Sequence, residues 1–255
     1  MIQQISTLAW ITCKEALHGK LFWVSLIAAF MLLAATEFTS EVIISDVDAL
    51  QAGMMGWGLR WLGVITVVLF CVNSGVREMN DRVGDLYYSA PLRRDVIYLG
   101  KLAGLLAVAG CFSLIALLGS AMYAPFPVAL SWTLSLWMEL AIVVAFAQLV
   151  VVSTASIVTS VLLTLAFYLI SRSVAALQAM ANGPFFNPRS AFDNFTVLAV
   201  DALSWVLPPL HRFASADWLV SGATETGLAL QLLSCTVYLL LLGTVTVIET
   251  YRRQF

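Results

Sequence analysis

Apolar residues occur in long runs along the chain, and short polar segments separate them. A membrane-spanning helix needs about 20 apolar residues, because the hydrocarbon core of a bilayer is about 30 Å thick. The uncharged stretch over 130–170, apart from Glu139, is about twice that length and must fold back at Ser153, Thr154 and Ser156. The runs therefore predict an all-α polytopic membrane protein, a single transmembrane domain over 1–255, with six spans at about 21–38, 54–74, 96–124, 131–152, 155–171 and 226–248.

Two further segments have an amphipathic helical pattern. Residues 2–18 place apolar side chains on one face and polar side chains on another, which is typical of a helix that lies along a membrane surface. Residues 75–95 form the most polar part of the chain, and Val76, Met79, Val83, Leu86 and Tyr87 recur there at helical spacing. This second helix is expected to end before Pro91, because a proline disfavours helical backbone in the residue before it.

The region 172–225 mixes apolar runs with prolines and charges, which predicts a loop with short helices. One of these helices is expected to dip into the bilayer between Ala191 and Leu207. A full seventh span there would bury Asp201, so six spans is the better interpretation.

Lys and Arg are retained on the cytoplasmic side of membranes, so their positions predict the orientation. With six spans and a cytoplasmic N-terminus, most of them fall on the cytoplasmic side, including Lys14, Arg77, Arg94 and Arg252. Both termini are therefore predicted to be cytoplasmic, in a multi-pass protein of the cytoplasmic (inner) membrane with lipid as a partner.

Composition agrees with this class, since 61% of residues are hydrophobic and only 11% are charged. An ordinary soluble domain has about 25% charged residues. The formal net charge of −2 argues against nucleic acid as a partner, because that role needs a basic surface. The four cysteines form no CxxC pair and the two histidines lie on opposite predicted sides, so we expect no metal site.

Glu139 and Arg60 are the costly residues within the predicted spans. They either line a translocation path or its outer gate, or form a structural ion pair. Gly100 and Gly104 form a stripe of small residues that permits close helix packing. That contact either involves a neighbouring helix that moves as a unit, or is ordinary packing within the chain.

The segment between spans two and three resembles the ABC type-2 transporter permeases, the membrane subunits of ATP-binding-cassette exporters. The matching positions, in order, are Glu78, Gly84, Leu86, Pro91, Leu92, Arg93, Gly100 and Lys101. Residues 14–17 followed by 21–23 look like the elbow helix of that family. Residues 207–210, Leu-Pro-Pro-Leu, look like its outer re-entrant region. Asp95 departs from the pattern and leaves the register of the segment open.

The resemblance implies a non-catalytic permease subunit that pairs with a second permease subunit, as a homodimer or heterodimer, and binds two cytosolic ATPase subunits. The docking surface would be the coupling loop 75–95 and the elbow helix, with the residues Arg77, Glu78, Arg82, Asp85, Leu86, Pro91 and Arg93. This chain has no P-loop, since Leu102 follows Lys101 where Ser or Thr is needed, so ATP and magnesium belong to the partner. Two alternatives stay open: a permease-fold subunit that performs mechanical work without solute transport, and a membrane-embedded enzyme.

Overall fold

The structure, a computed structural model, describes residues 2–40, 47–80, 94–181, 198, 201–222 and 227–252. Within these residues the regular structure is entirely helical and contains no strand. The helices, numbered in chain order, are α1 Ile2–His18, α2 Lys20–Ser40, α3 Val47–Asn80, α4 Arg94–Ser120, α5 Phe126–Thr154, α6 Ile157–Ala181, α7 Ala216–Ser221 and α8 Leu228–Arg252.

Six of these helices, α2 to α6 and α8, are long and apolar enough to cross a membrane. The prediction of an all-helical protein with six such helices is therefore confirmed. Helices of this number and length are those of a multi-pass membrane protein. We call the end of the bundle where α3 ends and α4 begins the inner end, after the predicted orientation. The opposite end is the outer end.

Helix α3 is longer at both ends than the predicted span over 54–74. Asp48, expected in an acidic loop, lies in its first turn, where the helix dipole favours a negative charge. At the other end α3 continues to Asn80 and includes the first residues of the predicted amphipathic helix. The remainder of that helix, at 81–93, lies outside the described residues.

Helix α6 also extends well beyond its predicted end at residue 171. The chain turns between α5 and α6 at the polar cluster of 153–156, where Ala155 adopts a left-handed conformation with φ 52° and its N–H donates to the carbonyl of Val151. From Ile157 the helix runs without interruption to Ala181. Arg172, expected in an outer loop, is therefore part of a helix of membrane-spanning length.

Helix α5 is the centre of the bundle. Over an apolar stretch of 18 residues, 78% of the residues of α5 are buried, against 17% in α2 and in α8. It contacts α3, α4, α6 and α8, and α3 is the next most buried helix. The outward side chains of α2 and α8 include the exposed Phe30 and Leu240. Apolar exposure on peripheral helices is expected where lipid replaces water as the solvent.

Helix α1 packs along α4. Its buried or half-buried residues form one stripe at helical spacing: Ile5, Leu8, Ala9, Thr12, Cys13 and Ala16. The helix stops at Gly19, whose N–H donates to the carbonyl of Ala16, and α2 follows at once. The predicted amphipathic pattern is therefore used for contact within the protein.

Candidate functional site

Helix α5 presents a column of polar side chains to the middle of the bundle. Trp132, Ser135 and Glu139 follow one another at spacings of three and four residues, and each is 0% exposed. This spacing places them on one face of the helix. Glu139 lies at the middle of α5, about 20 Å from either end of the helix. Its carboxylate is thus far from both ends of the bundle.

The partner of Glu139 lies on α6. Arg172 Nη1 donates to Glu139 Oε1 at 2.9 Å and forms an ion pair with it. The hydroxyl of Tyr168 donates to the same oxygen at 3.0 Å. Tyr168 and Arg172 are four residues apart and so share a face of α6. An unpaired charge at this depth is strongly destabilising, so the two donors make the buried carboxylate tolerable.

A non-α-helical stretch of chain enters this region. We call residues 207–215 the core segment; it contains a single 3-10 turn, Leu210–Arg212. Leu210, Phe213 and Ala214 are at most 1% exposed. The 3-10 turn contacts α6, and α7, directly after the core segment, contacts α3 and α5. The core segment thus places irregular backbone among membrane-spanning helices.

Two arginines hold the carbonyl groups of the core segment. Arg172 Nη1 donates to the carbonyl of Leu210 at 3.1 Å and to that of Phe213 at 3.4 Å. Arg60 Nη1, from α3, donates to the carbonyl of Ala214 at 3.1 Å. Irregular backbone at membrane depth needs such partners, because lipid offers no hydrogen bonds. The arginines therefore stabilise the core segment directly.

The turn at Ala214 is fixed from both sides. Its N–H donates to Ser135 Oγ at 3.0 Å, while Arg60 binds its carbonyl. Ala214 has φ 42°, in the left-handed region that an L side chain occupies at a cost. The two hydrogen bonds hold this strained residue in place.

We call Arg60, Ser135, Glu139, Tyr168 and Arg172 the central cluster. Arg60 and Glu139, predicted as a pair or as path residues, both belong to it, but Arg60 binds backbone while Glu139 binds Arg172. The cluster holds two guanidinium groups and one carboxylate. Among the described residues, neither Arg60 Nε nor Glu139 Oε2 has a hydrogen-bond partner.

A second polar network lies at the inner end. Glu78 on α3 forms an ion pair with Lys101 on α4. One turn earlier, Ser74 Oγ donates to the carboxylate of Glu15 on α1 at 3.3 Å. The Glu78 and Lys101 side chains are 21% and 27% exposed. This inner network joins α1, α3 and α4 at the end of α3 and the start of α4.

The predicted docking residues divide between the described chain and the rest. Arg77 lies in the last turn of α3. The carboxylate of Glu78 is directed to Lys101, so its role within the chain is to hold α4. The remaining predicted docking residues, Arg82, Asp85, Leu86, Pro91 and Arg93, lie outside the described residues.

Gly100 and Gly104 face α1. A Cβ on Gly100 would come within 2.8 Å of Leu8 Cβ. A Cβ on Gly104 would come within 2.6 Å of Thr12 Cβ and 3.0 Å of the carbonyl oxygen of Ala9. The two glycines therefore allow α1 and α4 to approach backbone to backbone. The close contact lies within the chain.

Sequence reasoning missed Arg172 and Tyr168, which were placed in a loop and in an apolar run. A signal was present: Ser160, Thr164, Tyr168 and Ser171 recur every three or four residues in α6, and all are 0% exposed. Polar residues on one face of an apolar helix indicate a face turned to the protein interior. Extending that stripe reaches Arg172.

Two titratable groups outside the membrane-spanning helices have a raised pKa. At the outer end the hydroxyl of Tyr123 donates to Glu37 at 2.6 Å, and burial together with this carboxylate raises the pKa of Tyr123 to about 12. Burial and the neighbouring thiol of Cys111 raise the pKa of Cys13. The four cysteines are free thiols. In the part of the chain that is described, no three His, Cys, Asp or Glu side chains meet as a metal site would require.

Comparison of the sequence with models of known protein families finds no match, and comparison with curated proteins finds no significant similarity. The central cluster and the inner network are therefore the features of the molecule from which a function can be inferred.

Proposed function

We propose that this chain is the permease subunit of an ATP-binding-cassette exporter in the cytoplasmic membrane, with both termini in the cytoplasm. It would pair with a second permease subunit, and separate ATPase subunits would bind ATP and magnesium. The six long apolar helices and the polar segment 81–93 between two of them support this proposal.

The observation that carries the proposal is the arrangement of the inner end. Segment 81–93 connects α3 to α4 in the chain, and the Glu78–Lys101 pair couples the end of α3 to the start of α4. Helix α1 packs along α4 through Gly100 and Gly104 and bonds to α3 through Glu15. A force applied to the segment would therefore move α1, α3 and α4 together. A coupling helix that receives the motion of an ATPase needs such a linkage.

Within this proposal the central cluster is the gate. The core segment would be the re-entrant region, and Arg60 and Arg172 would hold it in place until the helices move. Opening would require these hydrogen bonds to break together. This differs from a path lined by free charges, since the arginines act on backbone carbonyls.

Co-purification tests the proposal. The chain is tagged, extracted in mild detergent, and the recovered proteins are identified and assayed for ATP hydrolysis. We expect a P-loop ATPase in the wild-type sample and its loss after Arg77→Glu with Arg82→Glu, because charge reversal opposes docking. Arg252→Glu, in the last turn of α8, is the matched control and should retain the partner. Wild-type protein that purifies alone under several mild conditions would contradict the proposal.

A second candidate is a permease-fold subunit that converts ATP hydrolysis into mechanical work without moving a solute. It is favoured by the observation that the residues assigned to a path are buried and already engaged: Arg60 binds the carbonyl of Ala214, and Glu139 binds Arg172. The same purified complex separates the two. ATP-dependent movement of a solute in proteoliposomes supports transport, whereas ATP hydrolysis accompanied only by a change in bound protein partners supports mechanical work.

A further inference from the structure

A small niche opens between four helices at the inner end of the bundle. Its walls are mainly apolar and include Leu105 and Val151. Its polar lining comes from one residue or more on each of α1, α3, α4 and α5: Thr12, Ser74, Glu78, Tyr98, Lys101 and Gln148. A mostly apolar niche with a few converging polar groups is the usual form of a small-ligand site.

Gln148 is the residue that points to a ligand. It lines the niche from α5, is 8% exposed, and its Oε1 has no hydrogen-bond partner among the described residues. A buried amide oxygen without a donor is unfavourable and rare in native proteins. The described residues therefore leave the Gln148 amide oxygen in need of a hydrogen-bond donor.

The charges of the niche sum to zero. Glu78 contributes one negative and Lys101 one positive charge, side by side and partly exposed. An ammonium group has three donor hydrogens and a carboxylate has about four acceptor positions, so the ion pair leaves capacity on both. A free cation or anion would add an uncompensated charge, whereas a ligand that carries one charge of each sign would not.

The depth of the niche matches that of lipid headgroups. Glu78 is in the last turn of α3, Lys101 lies in the second turn of α4, and Gln148 lies within two turns of the end of α5. All three are thus within about 10 Å of the helix ends. A bilayer is about 40–45 Å thick with its headgroups, against about 30 Å for its hydrocarbon core.

We propose that the niche binds the phosphoethanolamine headgroup of a membrane phospholipid. The ammonium group of the headgroup donates to Gln148 Oε1 and faces the Glu78 carboxylate, while the phosphate accepts from Lys101. A choline headgroup has the same two charges but no N–H donor, so it leaves Gln148 without a partner. The proposal does not depend on the exporter function.

The test is the thermal stability of the purified full chain in nanodiscs. Phosphatidylcholine alone is compared with equal parts of phosphatidylcholine and phosphatidylethanolamine. We expect the wild-type Tm to be higher with phosphatidylethanolamine by about 2–4 °C. Gln148→Leu should abolish the difference, because leucine removes the amide oxygen without adding a charge.

Two controls remove general effects. Gln51→Leu changes a glutamine of equal exposure at the outer end, whose amide donates to the carbonyl of Thr36, and should keep the lipid-dependent shift. In wild-type protein, headgroups with one, two and three N-methyl groups should give progressively smaller shifts, because each methyl removes a donor. This lipid series uses only wild-type protein, so it tests the proposal even if the Gln148→Leu protein does not accumulate.

Three results would overturn the proposal. The first is an equal wild-type Tm in both lipid mixtures. The second is a phosphatidylethanolamine shift that Gln148→Leu retains in full. The third is an equal shift when soluble phosphoethanolamine is added to phosphatidylcholine nanodiscs, which would assign the niche to a soluble ligand.

Discussion

The central cluster and the inner network both contain an ion pair between two helices, but their surroundings differ. Glu139 is 0% exposed, and its partner Arg172, 20% exposed, also binds two backbone carbonyls, whereas the Glu78 and Lys101 side chains are 21% and 27% exposed. A buried pair that loses one partner leaves an uncompensated charge, and a partly exposed pair does not. Similar chemistry thus fixes backbone in one region and only connects helix ends in the other.

The largest effect is expected at the centre. Arg172→Met leaves Glu139 without its ion-pair partner and frees the carbonyls of Leu210 and Phe213, so we expect a loss of about 3–5 kcal/mol in the free energy of unfolding. The loss is measured by thermal unfolding of the purified protein in detergent, and by the fraction of that protein that remains monodisperse.

Glu139→Gln is the matched comparison, because glutamine keeps an oxygen that can accept from Tyr168 and Arg172. We expect the Glu139→Gln protein to accumulate and to lose more of its ATP-dependent activity than of its thermal stability. This is the result expected if Glu139 acts in a gate. Loss of the assembled Glu139→Gln protein would favour a purely structural ion pair. Arg172→Met with wild-type stability would contradict the contrast between the two regions.

An intermediate effect is expected where α1 meets α4. Gly104→Ala places a methyl group against Thr12 Cβ and the carbonyl oxygen of Ala9, and overpacking of this kind costs about 1–3 kcal/mol. Gly110→Ala is the control, since its Cβ would lie 3.5 Å from Trp137 Nε1, an ordinary contact. Comparison of their unfolding midpoints checks this. Equal midpoints would show that the inner end does not depend on this close approach.

The smallest effect is expected from the inner ion pair. A double-mutant cycle of Glu78→Gln and Lys101→Met should give a coupling energy of about 0–1 kcal/mol, because solvent screens a partly exposed pair. A coupling energy as large as the loss in Arg172→Met would place both ion pairs in the same class. Burial would then not distinguish the central ion pair from the inner one.

Local sequence patterns predicted much of the fold but less of the site. The apolar runs predicted six membrane-spanning helices, because the bilayer sets both their length and their composition. Glu139 and Arg60 stood out since charges in spans are costly. Their partners did not: Arg172 looked like a loop residue because a charge after an apolar run also marks the end of a span.

The sequence alone determined three properties, because each depends only on neighbouring residues. They are the length and apolar character of the helices, the amphipathic pattern of α1, and the unusual charges within the predicted spans. Only the tertiary structure decided that Arg172 and Arg60 hold Leu210, Phe213 and Ala214, and that Gly104 meets Thr12. These contacts join residues far apart in the chain. Local spacing carries no information on which distant carbonyl a buried arginine will satisfy, so packing of the bundle made that choice.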